Sequence, residues 1–194
     1  MNKHCLKLLY FLVLIANLCF SQRETEKWYI SGPAALDFSS GVPVSLNNNG
    51  IILSWEGCST ISDATGNLLF YKHGNWLYNR NHIVTPNGAG LNGCNTVTQV
   101  AVFVPKPGST TLYYLFIIGG PAANSSNRPW SLYYSEIDIT LNGGFGDIAI
   151  KNMPVAASSG NCGEKMAVTK HCNGVDYWLL VHDITGANYK SYLI

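Results

Sequence analysis

Apolar and polar positions alternate in short bursts along this chain, and the bursts recur as a unit. Residues 59–79, STISDATGNLLFYKHGNWLYN, set two apolar runs on either side of a turn, and a related pattern returns at 98–138 and 164–194. Each copy passes from a short apolar strand through a Gly- or Asn-containing turn to a strand dense in Leu, Tyr, Phe and Trp. A third aromatic strand follows in each. Asp63–Asn67 reads as a turn because Asp bonds its own backbone and Gly66 supplies positive φ. Leu68–Tyr71 is continuously apolar, as a strand covered on both faces should be.

Taken in order, Trp28–Ser31 predicts a strand, and the stretch after it holds too many turn formers for regular structure beyond an extended piece near Val42–Leu46. Further strands are predicted over Gln99–Val104, Leu112–Ile118, Ser131–Asp138, Met166–Lys170, Tyr177–Val181 and Tyr189–Ile194. The paired prolines Pro105 and Pro107 rule out a helix between the first two of these. No window carries an apolar period of 3.6, so very little helix is expected. The fold class is therefore all-β. Sheets of three or four strands recurring along the chain suggest a partial, propeller-like array of about three antiparallel blades, with a β-sandwich as the alternative.

Composition narrows this further. In 194 residues, 47% are hydrophobic and 12% charged, which suits a folded core rather than disorder. Lys and Arg are scattered, and the net charge is +1, so nucleic acid and anionic membranes are poor partners. Lys3 and Lys7 precede an apolar run, Leu8–Ile15, and Ser21 closes the segment. Residues 1–21 therefore read as a secretory signal peptide, leaving 22–194 as one β domain with no transmembrane span. Leu18 before Cys19 argues against a lipoprotein signal.

Export places Cys58, Cys94, Cys162 and Cys172 where disulfides persist. A strand over 164–171 would hold Cys162 and Cys172 roughly 25 Å apart, well beyond bridging distance. Cys58 and Cys94 each stand just before the first strand of a unit, and a bridge between them would contribute about 3–4 kcal/mol through loop entropy. The alternative is four free thiols, since Cys is commonly a small core residue.

With these pieces in view, the chain resembles the N-terminal propeller-like region of large Bacteroidetes secreted and cell-surface proteins of the gliding-motility-associated C-terminal domain type, which also carry PKD-type repeats. The matching stretches are WYISGPAALDFSSGVPV, EGCSTISDATGNLLFY, NHIVTPNGAGLNG, VFVPKPGSTTLYYLF, LYYSEIDITLNGGFGDI and EKMAVTKHCNGVDYWLLVH. The resemblance implies type IX secretion and a binding or adhesion role, and it brings no catalytic residue. The domain is accordingly expected to be an incomplete array belonging to a longer protein, with a polysaccharide or another cell-surface protein as partner.

The remaining motifs favour plain structure. Gly88–Gly93 fits G-x-G-x-x-G but lacks the following helix that a dinucleotide site needs. Asn142–Asp147 resembles one calcium-binding glycine repeat, with its Asp one place early. Asp63 and Asn67 are too few oxygen donors for calcium and fit turn capping. His73, His82, His171 and His182 show no metal-ligand spacing, and Ser158-Ser159-Gly160 lacks a nucleophile elbow. Glu56, Asp63, Asp138, Glu164, Asp176 and Asp183 are the carboxylates from which a glycosidase would draw its pair. No cofactor, metal or catalytic residue is assigned, and a carbohydrate-active enzyme is the rival class. Trp76, Tyr78, Trp130, Tyr133 and Tyr134 either fill space between sheets or stack on sugars. Trp130, beside the 119–129 loop, is the candidate ligand-contacting aromatic.

Overall fold

The structure is a computed structural model of the whole chain and describes residues 23–32, 34–46, 56–94, 96–120, 130–155 and 162–194. The expected signal peptide, most of the 119–129 loop and Ser158-Ser159-Gly160 lie outside the described residues.

The fold is all-β. Among the described residues thirteen strands form four antiparallel sheets, each built from consecutive strands. The first sheet contains β1 (Lys27–Ser31), β2 (Ala34–Asp37) and β3 (Val44–Ser45). The second has β4 (Cys58–Ser62), β5 (Leu68–His73) and β6 (Trp76–Asn79). The third has β7 (Ala101–Pro105), β8 (Leu112–Gly119), β9 (Ser131–Asp138) and β10 (Asp147–Pro154). The fourth has β11 (Cys162–Lys170), β12 (Tyr177–Asp183) and β13 (Tyr189–Leu193). Among the described residues helix is confined to single turns at Arg23–Thr25 and Leu141–Gly144, and none is long and apolar enough to cross a membrane.

Two strands depart from expectation: one completes an additional first sheet and the other adds a fourth strand to the third sheet. Ala34–Asp37, expected as loop, is β2: pairing with β1 buries Ala35 and Tyr29 together, and the Lys27–Asp37 ion pair at 2.7 Å closes the hairpin. Burial in that pairing outweighs the weak strand preference of Ala and Asp. Residues 147–154, left unassigned by pattern, are β10. Its register shifts between Ile148 and Ile150 and again before Met153. Each bulge flips the alternation, which erases the period-two signal.

The first strands stand side by side in chain order, β1 against β4, β4 against β7 and β7 against β11. Backbone links join them: Gly57 N–H donates to Val97 O at 3.2 Å, and Gln99 N–H donates to Glu164 O at 3.1 Å. This adjacency makes the array propeller-like, although the described residues form no closed ring. Successive sheets also share buried clusters, the first with the second and the second, third and fourth together, which keeps the sandwich description compatible.

The third sheet is the centre of the core. Phe103, Leu115 and Ile117 occupy one face, where Phe103 stacks on Phe70 of the second sheet at 6.5 Å between ring centroids. Phe116, Ile118 and Leu132 occupy the other face and share the core with Met166, Leu179 and Val181 of the fourth sheet. A smaller cluster joins the first two sheets, with Tyr71 stacked between Tyr29 at 4.8 Å and Tyr78 at 5.1 Å. The 88–94 loop crosses the end of β8 so closely that a Cβ on Gly119 would fall 1.9 Å from Asn92 O, so only glycine fits there.

Leu115→Ala should therefore lower unfolding free energy by about 2–5 kcal/mol in denaturant titration. Leu180→Ala, on the outer face of the last sheet, should cost under about 1 kcal/mol. Equal losses would contradict the placement of the core.

Candidate functional site

The most developed concavity is a cleft of about 480 Å³ between the third sheet and β13. Alternation along β8 sends Tyr114 and Phe116 to one face, and alternation along β9 sends Leu132, Tyr134 and Glu136 to the same face. The register sets Tyr114 opposite Glu136 and Phe116 opposite Tyr134. The rings interlock: Tyr114 meets Tyr134 edge-on at 5.7 Å, and Phe116 lies 6.3 Å from Tyr134. Tyr192, Leu193 and Ile194 form the opposite wall, and Val155 follows β10 at the margin.

One charge pair sits at this aromatic bed. The β7–β8 turn, with Gly108 at φ +74°, carries Lys106 over the Tyr114 ring, 5.3 Å from its centroid. Its ammonium donates to the Glu136 carboxylate, which is largely buried. The bond to Glu136 raises the Lys106 pKa, so the lysine stays charged and the carboxylate is tied. Chemically the cleft offers flat apolar surface and a compensated ion pair, an arrangement suited to holding a ligand.

The residues singled out from sequence are dispersed. Trp130 is corrected outright. At 3% exposure it is core, because it forms a bridge to Cys162 in which Cys162 N–H donates to Trp130 O at 3.0 Å. That bridge pins Trp130 between the third and fourth sheets. Tyr134 does line the cleft; Tyr133 lies on the opposite face of β9, and Tyr78 is in the smaller core cluster. Trp76 is the exposed member, at 45%. The expected Cys58–Cys94 disulfide is absent. None of the four described cysteines is in a disulfide, with Cys94 Sγ held 3.2 Å from Thr96 Oγ1 and Cys58 within β4.

The carboxylates serve turns. Asp63, Asp138 and Asp183 repeat one device, in which Oδ1 accepts from the N–H and hydroxyl of the Thr two residues on, at 2.6–2.9 Å. At Asp183 the two Thr185 bonds and then Lys190 hold the carboxyl down to about 2. Glu164 accepts from Thr98 at 2.7 Å, and Asp176 accepts from Asn173 at 2.7 Å. Asp147, in the glycine-rich 142–147 turn, accepts from Asn87 N–H and Nδ2, each at 2.9 Å. The Gly88–Gly93 segment is loop, and a Cβ on Gly93 would lie 2.0 Å from Gly74 O. Among the described residues no three His, Cys, Asp or Glu side chains gather closely enough to hold a metal ion.

Sequence pattern missed Lys72. It reads as an ordinary mid-strand lysine, yet its side chain is wholly buried on β5, and its ammonium donates to Gly74 O. Burial pushes its pKa down to about 7, opposed by nearby Cys94. A buried, shifted amine is a functional signal when it lines a cleft. Lys72 lies against Gly93 of the 88–94 loop and bonds within the β5–β6 turn.

No protein-family model, curated protein or solved structure matches the chain.

Between about pH 7 and 9 the unfolded chain should bind a proton at Lys72 that the folded chain lacks, so stability should rise with pH in that window. Lys72→Met should flatten the rise in chemical-denaturation curves. Thiol labelling without reductant should modify Cys172 at once and Cys94 and Cys162 only on unfolding. Recovery of a Cys58–Cys94 cross-linked peptide would contradict the free thiols.

Proposed function

We propose that the chain is an exported, non-enzymatic binding or adhesion module whose ligand rests in the cleft of Tyr114, Phe116, Tyr134 and Tyr192. It forms part of a larger cell-surface or secreted protein of the gliding-motility-associated, type IX-secreted kind its motifs resemble. The observation that carries this is the cleft itself: three interlocked aromatic rings on one sheet face, with the local carboxylate committed to Lys106. Aromatic faces give large contact area at little entropic cost and suit the apolar faces of sugar rings or side chains. Hydrolysis of a glycosidic bond needs one carboxyl as acid and another as base or nucleophile. Glu136 is tied by an ion pair, Asp63, Asp138, Asp176 and Asp183 accept from donors in their own turns, Glu164 accepts from Thr98, and Glu56 is exposed away from the cleft lining, which weighs against the enzyme class.

Screening the protein against polysaccharides and surface-protein peptides should give saturable binding without release of reducing ends. Tyr134→Ala should weaken binding by roughly tenfold while leaving the circular dichroism spectrum unchanged, since the loss of one stacked ring is worth about 1–2 kcal/mol. Release of reducing ends would overturn the non-enzymatic assignment. Binding insensitive to Tyr134→Ala would place the ligand elsewhere.

A further inference from the structure

We propose that the cleft takes an extended polypeptide strand from a partner protein, which adds as a fourth strand to the open edge of β13. This rests on the cleft being a binding site, and it names the ligand class.

The sheets themselves supply the comparison. In the second sheet the outer edge of β6 is covered by residues 83–91: Asn79 N–H donates to Ile83 O, Thr85 N–H donates to Leu77 O, and Leu77 N–H donates to Gly88 O, at 2.9–3.0 Å. In the third sheet β10 covers the edge of β9. In the fourth sheet no described strand pairs with the outer edge of β13, and the aromatic cleft borders that strand.

The ladder shows which groups are on offer. Tyr177 and Ile194 exchange both backbone hydrogen bonds, at 3.2 and 2.9 Å, and Asp183 N–H donates to Asn188 O at 3.0 Å. Antiparallel pairs alternate, so the N–H and C=O groups of Tyr189, Ser191 and Leu193 point away from β12. Such a row is a ready template for another strand. Natural edges are blunted by bulges, proline or inward charges. β13 pairs in unbroken register, contains no proline, and its Lys190 is bound to Asp183 at 3.3 Å.

An added strand would lie roughly 4.8 Å from β13. Its alternate side chains would rest on Leu132, Tyr134 and Val155. Lys106 and Lys190 are both paired, so the cleft asks for no net charge. Tyr192 Oη is buried without a hydrogen-bond partner among the described residues and would offer the strand a polar anchor. The partner is thus a neutral segment with an apolar residue at every second position. Main-chain bonds supply affinity and the alternate pockets supply selectivity, as in other strand-addition sites.

The test uses a fluorescein-labelled nine-residue peptide of alternating Thr and Val, the same peptide N-methylated on alternate amides, and the full chain. The parent peptide should bind with a Kd of about 100 µM or below. N-methylation should weaken it by at least about tenfold, because it removes the ladder bonds. Ser191→Pro should do the same with an unchanged melting temperature, since that N–H faces outward and proline is tolerated at such edge positions. If this variant fails to fold, the N-methylated peptide still decides. Equal binding by both peptides, or no binding at 1 mM, overturns the inference. Concentration-dependent dimerisation abolished by Ser191→Pro also overturns it, since the occupant would then be a second copy. A polysaccharide held through Tyr134 with no peptide bound overturns only the strand; loss of both ends the binding proposal too.

Discussion

A sheet that is apolar on both faces cannot stand in water, and β7–β10 is such a sheet. Leu115 and Ile117 point one way and Phe116 and Ile118 the other, all of them buried. Burying several side chains of this size is worth several kcal/mol on each face, comparable to the net stability of a domain. The second and fourth sheets are held in place by covering it. The packed row of sheets, the adjacency of their first strands and the cleft all follow from that requirement. The cleft marks where the cover thins: three strands of the fourth sheet lie over four of the third, and Tyr134 and Val155 are left at the margin.

Polar residues inside this arrangement fix turns and crossings. The Asp-x-Thr device at Asp63, Asp138 and Asp183 gives one oxygen of each carboxylate two local donors, which fixes the turn where a strand stops. Lys72 acts on a turn as well. Its buried amine bonds the turn of the second sheet beneath the loop that covers the end of β8, at the electrostatic cost that its lowered pKa records.

Much of the architecture was legible in the pattern. Leu112–Ile118 and Ser131–Asp138 stand out because an unbroken apolar run and aromatic density survive in central strands. Ala34–Asp37 did not, since alanine carries little strand preference until Tyr29 is there to cover it. Asp147–Pro154 did not, because two bulges scramble its alternation. Of the site, Tyr134 was visible as one aromatic among several, but its partnership with Tyr114 and Phe116 is a matter of register, which no local window contains. Trp130 misled for a related reason: a tryptophan beside a long polar loop looks exposed until the Cys162 strand folds back upon it. Lys72 gave no signal at all, because its burial is created by the distant 88–94 loop.

Every sheet here is drawn from one uninterrupted stretch of chain, with neighbours joined in order. Pairing within each sheet is between neighbours in sequence, so each meander can assemble as soon as its own residues are free, without waiting for a distant terminus. Nascent polypeptide would thus gain order sector by sector. The vulnerable interval comes when β7–β10 has formed and β11–β13 has not, for then a broad greasy surface faces solvent, and any holding factor that accompanies the chain has its task there.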